Sequence, residues 1–199
     1  MRRLAPVLAA AVVTVLLASG CDSPVSPPSA GDVVVDSPSA RKIKAEAGIA
    51  DCVPGEGAGG LPHLTLPCLG GGADVDLSTL TVPLLGNLWA SNCGPCRDEM
   101  PVLQRFYEKH GDTVAVLGID METYPDAALA FARDTGATYP QLVDAAGDLI
   151  SQDDFQISGA VPQTILVAAD GTVSAPVPGE LHSVAEVEQL VSDRLGVTL

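Results

Sequence analysis

A Cys-Gly-Pro-Cys at residues 93–96 sits between an apolar stretch and an amphipathic one, and this placement constrains the chain more than any other feature. Thr81–Ala90 is apolar on both faces and predicts a buried strand. Cys96–His110 predicts a helix broken or kinked at Pro101. A cysteine pair at that junction has a chemical purpose. The free N–H groups and dipole of a helix start stabilise a thiolate at Cys93. Two intervening residues place the sulfurs one turn apart, within disulfide reach. Motifs of this kind lower the first thiol's pKa from ~8.5 to between ~3.5 and ~7.5. The thiolate attacks a substrate disulfide, and the second thiol resolves the mixed disulfide. A zinc site is one competing use, but it needs four N or S ligands. Cys52 and Cys68 form no second C-x-x-C, and His63, His110 and His182 are scattered. An inert structural disulfide is the other. We read Cys93 and Cys96 as a redox-active dithiol with no metal.

The remaining segments predict an α/β domain. Leu64–Leu66 and Val75–Leu77 flank Gly70-Gly71-Gly72 and predict a hairpin. Thr113–Ile119 reads as a second buried strand, and Pro125–Thr135 as a helix with proline in its first turn. Leu149–Phe155 suggests a short helix. Gln163–Ala168 and Thr172–Val177 read as strands joined by Asp170-Gly171. Ser183–Leu195 is the last helix, with Ser183 and Glu186 at capping-box spacing. This order predicts a central mixed sheet with helices on both faces.

Asn87-Leu88-Trp89-Ala90-Ser91-Asn92-Cys93-Gly94-Pro95-Cys96-Arg97-Asp98-Glu99-Met100-Pro101 resembles the active site of the thioredoxin superfamily, and more narrowly the extracytoplasmic TlpA/ResA-like thiol–disulfide oxidoreductases. Gly159-Ala160-Val161-Pro162-Gln163-Thr164-Ile165-Leu166-Val167 is similar to that family's cis-proline strand. Gly118-Ile119-Asp120, with the helix after Pro125, is similar to the insertion that marks this branch. The resemblance covers about residues 61–199. It implies a thioredoxin-like fold, with Trp89, Gly94 and Pro95 supporting the dithiol. It further implies that the Val161 backbone pairs with a substrate strand, and that a cis Pro162 keeps metal ions off the thiols. Two positions depart from the pattern. Asn92 replaces the usual tryptophan before the first cysteine. Asn87 stands where cytosolic thioredoxins carry a buried acid, which proteins of this branch commonly lack too. Glu99, one turn past Cys96, becomes a candidate proton acceptor.

Met1–Gly20 reads as an export signal, with Arg2 and Arg3 ahead of an apolar run and small residues at its end. Leu17-Ala18-Ser19-Gly20-Cys21 resembles a bacterial lipobox, which implies acylation of Cys21. Residues 21–50, with Pro24, Pro27, Pro28 and Pro38, read as a lipid-anchored flexible linker. The thioredoxin-like domain is expected over 51–199. In an oxidising compartment Cys52 and Cys68 would close a loop of about 17 residues, worth roughly 3 kcal/mol on the chain-entropy model. They form either a structural disulfide, the preferred reading, or a second redox pair. Five cysteines are then accounted for.

Composition excludes some partners. Lys+Arg number 10 against Asp+Glu 25, a net charge of −15, which becomes −17 once residues 1–20 and their two arginines are removed. Such a surface repels nucleic acid. The expected function is an extracytoplasmic, membrane-tethered thiol–disulfide oxidoreductase, monomeric and without a cofactor. It would reduce protein disulfides with electrons from a transmembrane donor. The resemblance implies reduction of apocytochrome c before haem attachment. An oxidase or isomerase of exported proteins is the rival within the same chemistry, and a non-enzymatic binding lipoprotein the rival outside it. A peroxidase of the T-x-x-C kind is disfavoured, because Ala90 holds the threonine position.

Overall fold

The computed structural model of the chain describes residues 33–81 and 83–199. The export signal and Cys21 lie outside these residues. The chain forms α1 (Pro38–Ala47), the strands β1 (Thr65–Leu66) and β2 (Val75–Asp76), then β3 (Leu84–Trp89) and α2 (Gly94–His110). There follow β4 (Ala115–Asp120), α3 (Pro125–Thr135), β5 (Gln141–Val143), β6 (Gln163–Val167), β7 (Val177–Pro178) and α4 (Val184–Leu195). Single 3₁₀ turns occupy Leu77–Thr79 and Asp153–Phe155.

The main sheet has the order β5-β4-β3-β6-β7. β3, β4 and β5 run parallel, while β6 is antiparallel to both β3 and β7. β3 is central and buried at every position, as a strand covered on both faces must be. Its side chains divide two cores. Leu85 and Trp89 face a core shared with α1, α2, α3 and α4. Leu84 and Leu88 face a second core with Leu66, Val75, Leu77, Leu149 and Ile157. The α-helices thus cover one face, and the expected helical cover of the other consists of 3₁₀ turns alone. The hairpin, loops and 3₁₀ turns cover the other.

The expected linker is corrected at its C-terminal end. Residues 38–47 form α1, which packs Ala40 fully into the core and buries Lys44. Its signals are ordinary ones. Ser37 accepts the Ala40 N–H at 3.0 Å as N-cap, Pro38 stands in the first turn, and Gly48 closes the helix in the left-handed region. The same Ser-Pro that resembles a linker is a helix start once Ala40 and Ile43 have a surface to cover. The domain therefore extends N-terminal of residue 51. Val35 accepts from the Gly70 N–H, and Thr138 accepts from the Ala50 N–H.

Other boundaries shift. β3 begins at Leu84. The 149–155 segment is a 3₁₀ turn over its last three residues. Asp170-Gly171 makes its turn, but beyond it only Val173 bridges back to Val167 before β7. The pattern reading also missed β5, a three-residue edge strand that carries too few residues for a period. The 67–69 segment covers its open edge, with Leu69 N–H donating to Gln141 and Val143 N–H to Pro67. A disulfide joins Cys68 in that segment to Cys52. Among the described residues no helix is long and apolar enough to cross a membrane.

Candidate active site

The turn after β3 carries the cysteines to the start of α2. Trp89 ends the strand, and the Cys93 N–H closes a turn onto the Ala90 carbonyl at 3.1 Å. Cys93 is the N-cap of α2, with Gly94 and Pro95 opening the helix. Its Sγ lies 3.1 Å from the Cys96 N–H, which donates to it. A helix-start N–H aimed at sulfur stabilises a thiolate there. The two cysteines are bonded to each other. They are not equivalent: Cys93 is half-buried between exposed Asn92 and Gly94, whereas Cys96 is fully buried. Cys93 is the sulfur that a substrate can reach.

Val161 and Pro162 complete the site from the other side of the chain. The peptide between them is cis, as the resemblance implies. The Val161 carbonyl oxygen lies 3.6 Å from Cys93 Sγ. Buried Gln163 shapes the approach, since its Nε2 donates to the Ser158 carbonyl and hydroxyl, both at 2.7 Å. It thereby holds the loop that leads into Pro162. Sequence reading passed over Gln163 because a glutamine in an apolar strand carries no signal of its own.

Glu99 is fully buried on α2, three residues after Cys96. Its Oε2 accepts from Asn87 Nδ2 at 2.7 Å, and its Oε1 accepts from the Leu181 N–H at 3.0 Å. Burial pushes the carboxyl up to about 7, against those two donors and assisted by Glu180 and Glu186 nearby. A buried carboxyl thus stands on α2, held by the Asn87 amide of β3. Glu99 and Cys96 share a helix face three residues apart.

Trp89 is anchored rather than free. Its Nε1 donates to Gln141 Oε1 at 2.9 Å, and its ring stacks on Phe131 at 5.4 Å. Gly118 makes this possible, because a Cβ there would stand 1.7 Å from Gln141 Oε1. Arg97 lies over the other aromatic of the stack, 4.4 Å from the Phe131 centroid. Asp120, paired in register with Trp89, is also fully buried. Burial first, and then Glu122, hold its carboxyl well above the usual range. The pair Cys52–Cys68 lies elsewhere, at the β5 edge, packed in the second core.

This arrangement pairs an accessible sulfur at a helix start with a buried resolving sulfur, and sets a carboxyl near neutrality behind them. It is suited to thiol–disulfide exchange. Comparison with known proteins agrees. The AhpC/TSA family model matches residues 60–175. The chain is 32% identical over 123 residues to the thiol:disulfide interchange protein HelX of Rhodobacter capsulatus, covering 60% of this chain and 66% of that protein. It is 27% identical over 95 residues to the thiol-disulfide oxidoreductase ResA of Bacillus anthracis, covering 47% and 53%. The solved structure of MTB dsbF superposes with a TM-score of 0.58 at 25% identity, covering 67% of this chain and 98% of that one. The fold is thioredoxin-like. The chain spans between 39% and 66% of the length of the first curated relatives it matches.

Proposed function

Since this chain belongs to the AhpC/TSA family, we propose that it is a thiol–disulfide oxidoreductase that works outside the cytoplasm and reduces protein disulfides through Cys93 and Cys96. The observation that carries the reading is the asymmetry of the pair: a half-buried Cys93 capping α2 and a fully buried Cys96. The reduced enzyme attacks a client disulfide with the Cys93 thiolate. Cys96 then attacks Cys93 Sγ, releases the client as a dithiol and restores the enzyme's disulfide. The Cys96 proton passes to Glu99, whose raised pKa makes it a base of matched strength near neutral pH. Val161, on the rim, offers its backbone to the client strand, with Pro162 and Gln163 fixing its position. Trp89, Gly94 and Pro95 support the dithiol.

Met1–Gly20 and Cys21 support export and tethering by an acylated cysteine. In an oxidising space the enzyme takes its electrons from a donor in the membrane. Reduction of apocytochrome c before haem attachment is the client reaction implied by the resemblance at residues 87–101. We take the protein to act as a monomer. The Cys52–Cys68 bond ties the segment that follows α1 to the one that covers the β5 edge.

The test is reduction of insulin, with the potential of the pair measured in the same preparation. Cys93→Ser lowers turnover to the rate of the chemical reductant alone. Cys96→Ser instead accumulates a mixed disulfide at Cys93. A potential of about −270 mV supports a reductase, and one of about −120 mV reverses the direction to an oxidant. Insulin reduction that survives Cys93→Ser rejects the site.

A further inference from the structure

The Cys52–Cys68 disulfide has a polar partner at each sulfur. Lys44 of α1 is buried, and its Nζ lies 3.4 Å from Cys68 Sγ. The same ammonium donates to the Gly71 carbonyl at 2.6 Å and pairs with Asp51 at 2.9 Å. Cys52 Sγ lies 3.2 Å from the Gln141 carbonyl oxygen. Neither partner suits a disulfide, whose sulfur has no hydrogen to give and accepts only weakly. Both suit the reduced pair. A Cys68 thiolate would accept from the Lys44 ammonium, and a Cys52 thiol would donate to Gln141. Contacts that favour the reduced form make a disulfide more oxidising and more labile.

We propose that Cys52–Cys68 is a second redox centre of this protein, in which a dithiol substrate attacks Cys52 and Cys68 leaves as a thiolate held by Lys44. Cys52 itself is buried, at 4% exposure, so attack requires its segment to open, and the residues on either side of it face solvent. It lies between Asp51, whose side chain is 83% exposed, and Val53, 75% exposed. Among the described residues, 51–56 make no backbone hydrogen bonds. Besides the disulfide, the Lys44–Asp51 pair holds this segment, and a segment without backbone hydrogen bonds opens at less cost than the whole fold. The substrate thiolate bonds to Cys52 Sγ as the Cys52–Cys68 bond breaks, and the electron pair departs on Cys68. The substrate's second thiolate then attacks its own sulfur in the mixed disulfide and releases Cys52. Two electrons pass to the protein. One substrate proton ends on Cys52, the other goes to solvent, and the substrate leaves as a disulfide. The other charged groups of the cluster are Asp36, Arg41 and Asp51. Arg41 holds Asp36 low and Lys44 holds Asp51 low, so Cys68 is the member whose charge changes.

The experiment uses the chain carrying Cys93→Ser and Cys96→Ser, so its outcome does not depend on the function proposed for that pair. The protein is equilibrated at defined glutathione and dithiothreitol ratios, and trapped thiols are located by peptide mass. The expected result is reversible opening of Cys52–Cys68 while near-UV circular dichroism stays native. Adding Lys44→Met shifts the equilibrium at least tenfold toward the disulfide, about 30 mV, and Lys44→Arg restores it. Alkylation of reduced Cys68 also moves to higher pH in Lys44→Met. Opening only on unfolding, or a Lys44→Met protein with unchanged equilibrium and pH profile, overturns the proposal. If Lys44→Met does not fold, the order of alkylation decides. Cys68 reacting at lower pH than Cys52 supports the centre, and the reverse order rejects it.

Discussion

Glu99 shows how much of the catalytic potential of this chain rests on one buried group. Its carboxyl has two donors, the Asn87 amide and the Leu181 N–H, yet burial outweighs them and raises it from 4.5 to about 7. The consequence for stability has a definite sign. Between pH 4.5 and about 7 the folded chain holds a proton on Glu99 that the unfolded chain has lost. Stability therefore falls as pH rises through that window and is level above it, by roughly 3 kcal/mol in all. Glu99→Gln removes this slope. From pH 5 to pH 8 the wild-type urea midpoint should fall relative to the variant's. Its catalytic signature runs the other way. Release of the mixed disulfide in the wild type accelerates as pH rises through about 7, when Glu99 becomes able to take the Cys96 proton, and the variant shows a flat profile. A variant with wild-type slopes in both measurements removes Glu99 from the mechanism. The residue's position three after Cys96 was legible in the sequence. Its partner was not, because Asn87 and Leu181 reach it from β3 and from the segment before α4.

Among the elements, α1 is the one whose role depends on the rest of the fold. Taken alone, residues 38–47 form a ten-residue helix, too short to persist in water. It persists because Ala40 and the Ile49 that follows it enter the core beside α3 and because Lys44 reaches Gly71 and Asp51. The basic run Arg41-Lys42-Ile43-Lys44 is likewise occupied: Arg41 pairs with Asp36, Lys42 with Glu46 and Lys44 with Asp51. A chain that starts at residue 51 loses this helix. We expect it to unfold at lower denaturant than a chain starting at residue 33, by roughly 3 kcal/mol for the apolar burial given up. Equal midpoints would mean that α1 adds no stability. The other elements divide in the same way. α2, α3 and α4 carry caps, prolines and enough turns to be read directly. β5 and β7, of three and two residues, become strands only because β4 and β6 offer them backbone partners.

The whole molecule is strongly acidic, at −15 and at −17 without residues 1–20. A client disulfide on a basic segment should therefore be reduced faster than one on an acidic segment. The advantage should shrink as salt shortens the Debye length from about 10 Å at 0.1 M to about 3 Å at 1 M. Second-order rates for paired cationic and anionic disulfide peptides across that range measure it, and equal rates at low salt would remove charge from client selection. Sequence alone determined what covalent order and local period can carry: the strand–Cys-Gly-Pro-Cys–helix junction, the alternation of strands and helices and the acidic charge, while the thioredoxin-like identity and the role of Val161–Pro162 came from the family resemblance. The former are properties of neighbours along the chain, where a cap, a proline or an apolar run acts within a few residues. The tertiary structure alone decided the rest. It placed Asn87 and Leu181 on Glu99, Gln141 on Trp89 over the bare face of Gly118, and Lys44 on Cys68. Those residues meet across separations of 12 to 82 positions. A polar side chain in a buried place acquires its function from the partner that satisfies it, and only folding brings that partner within reach.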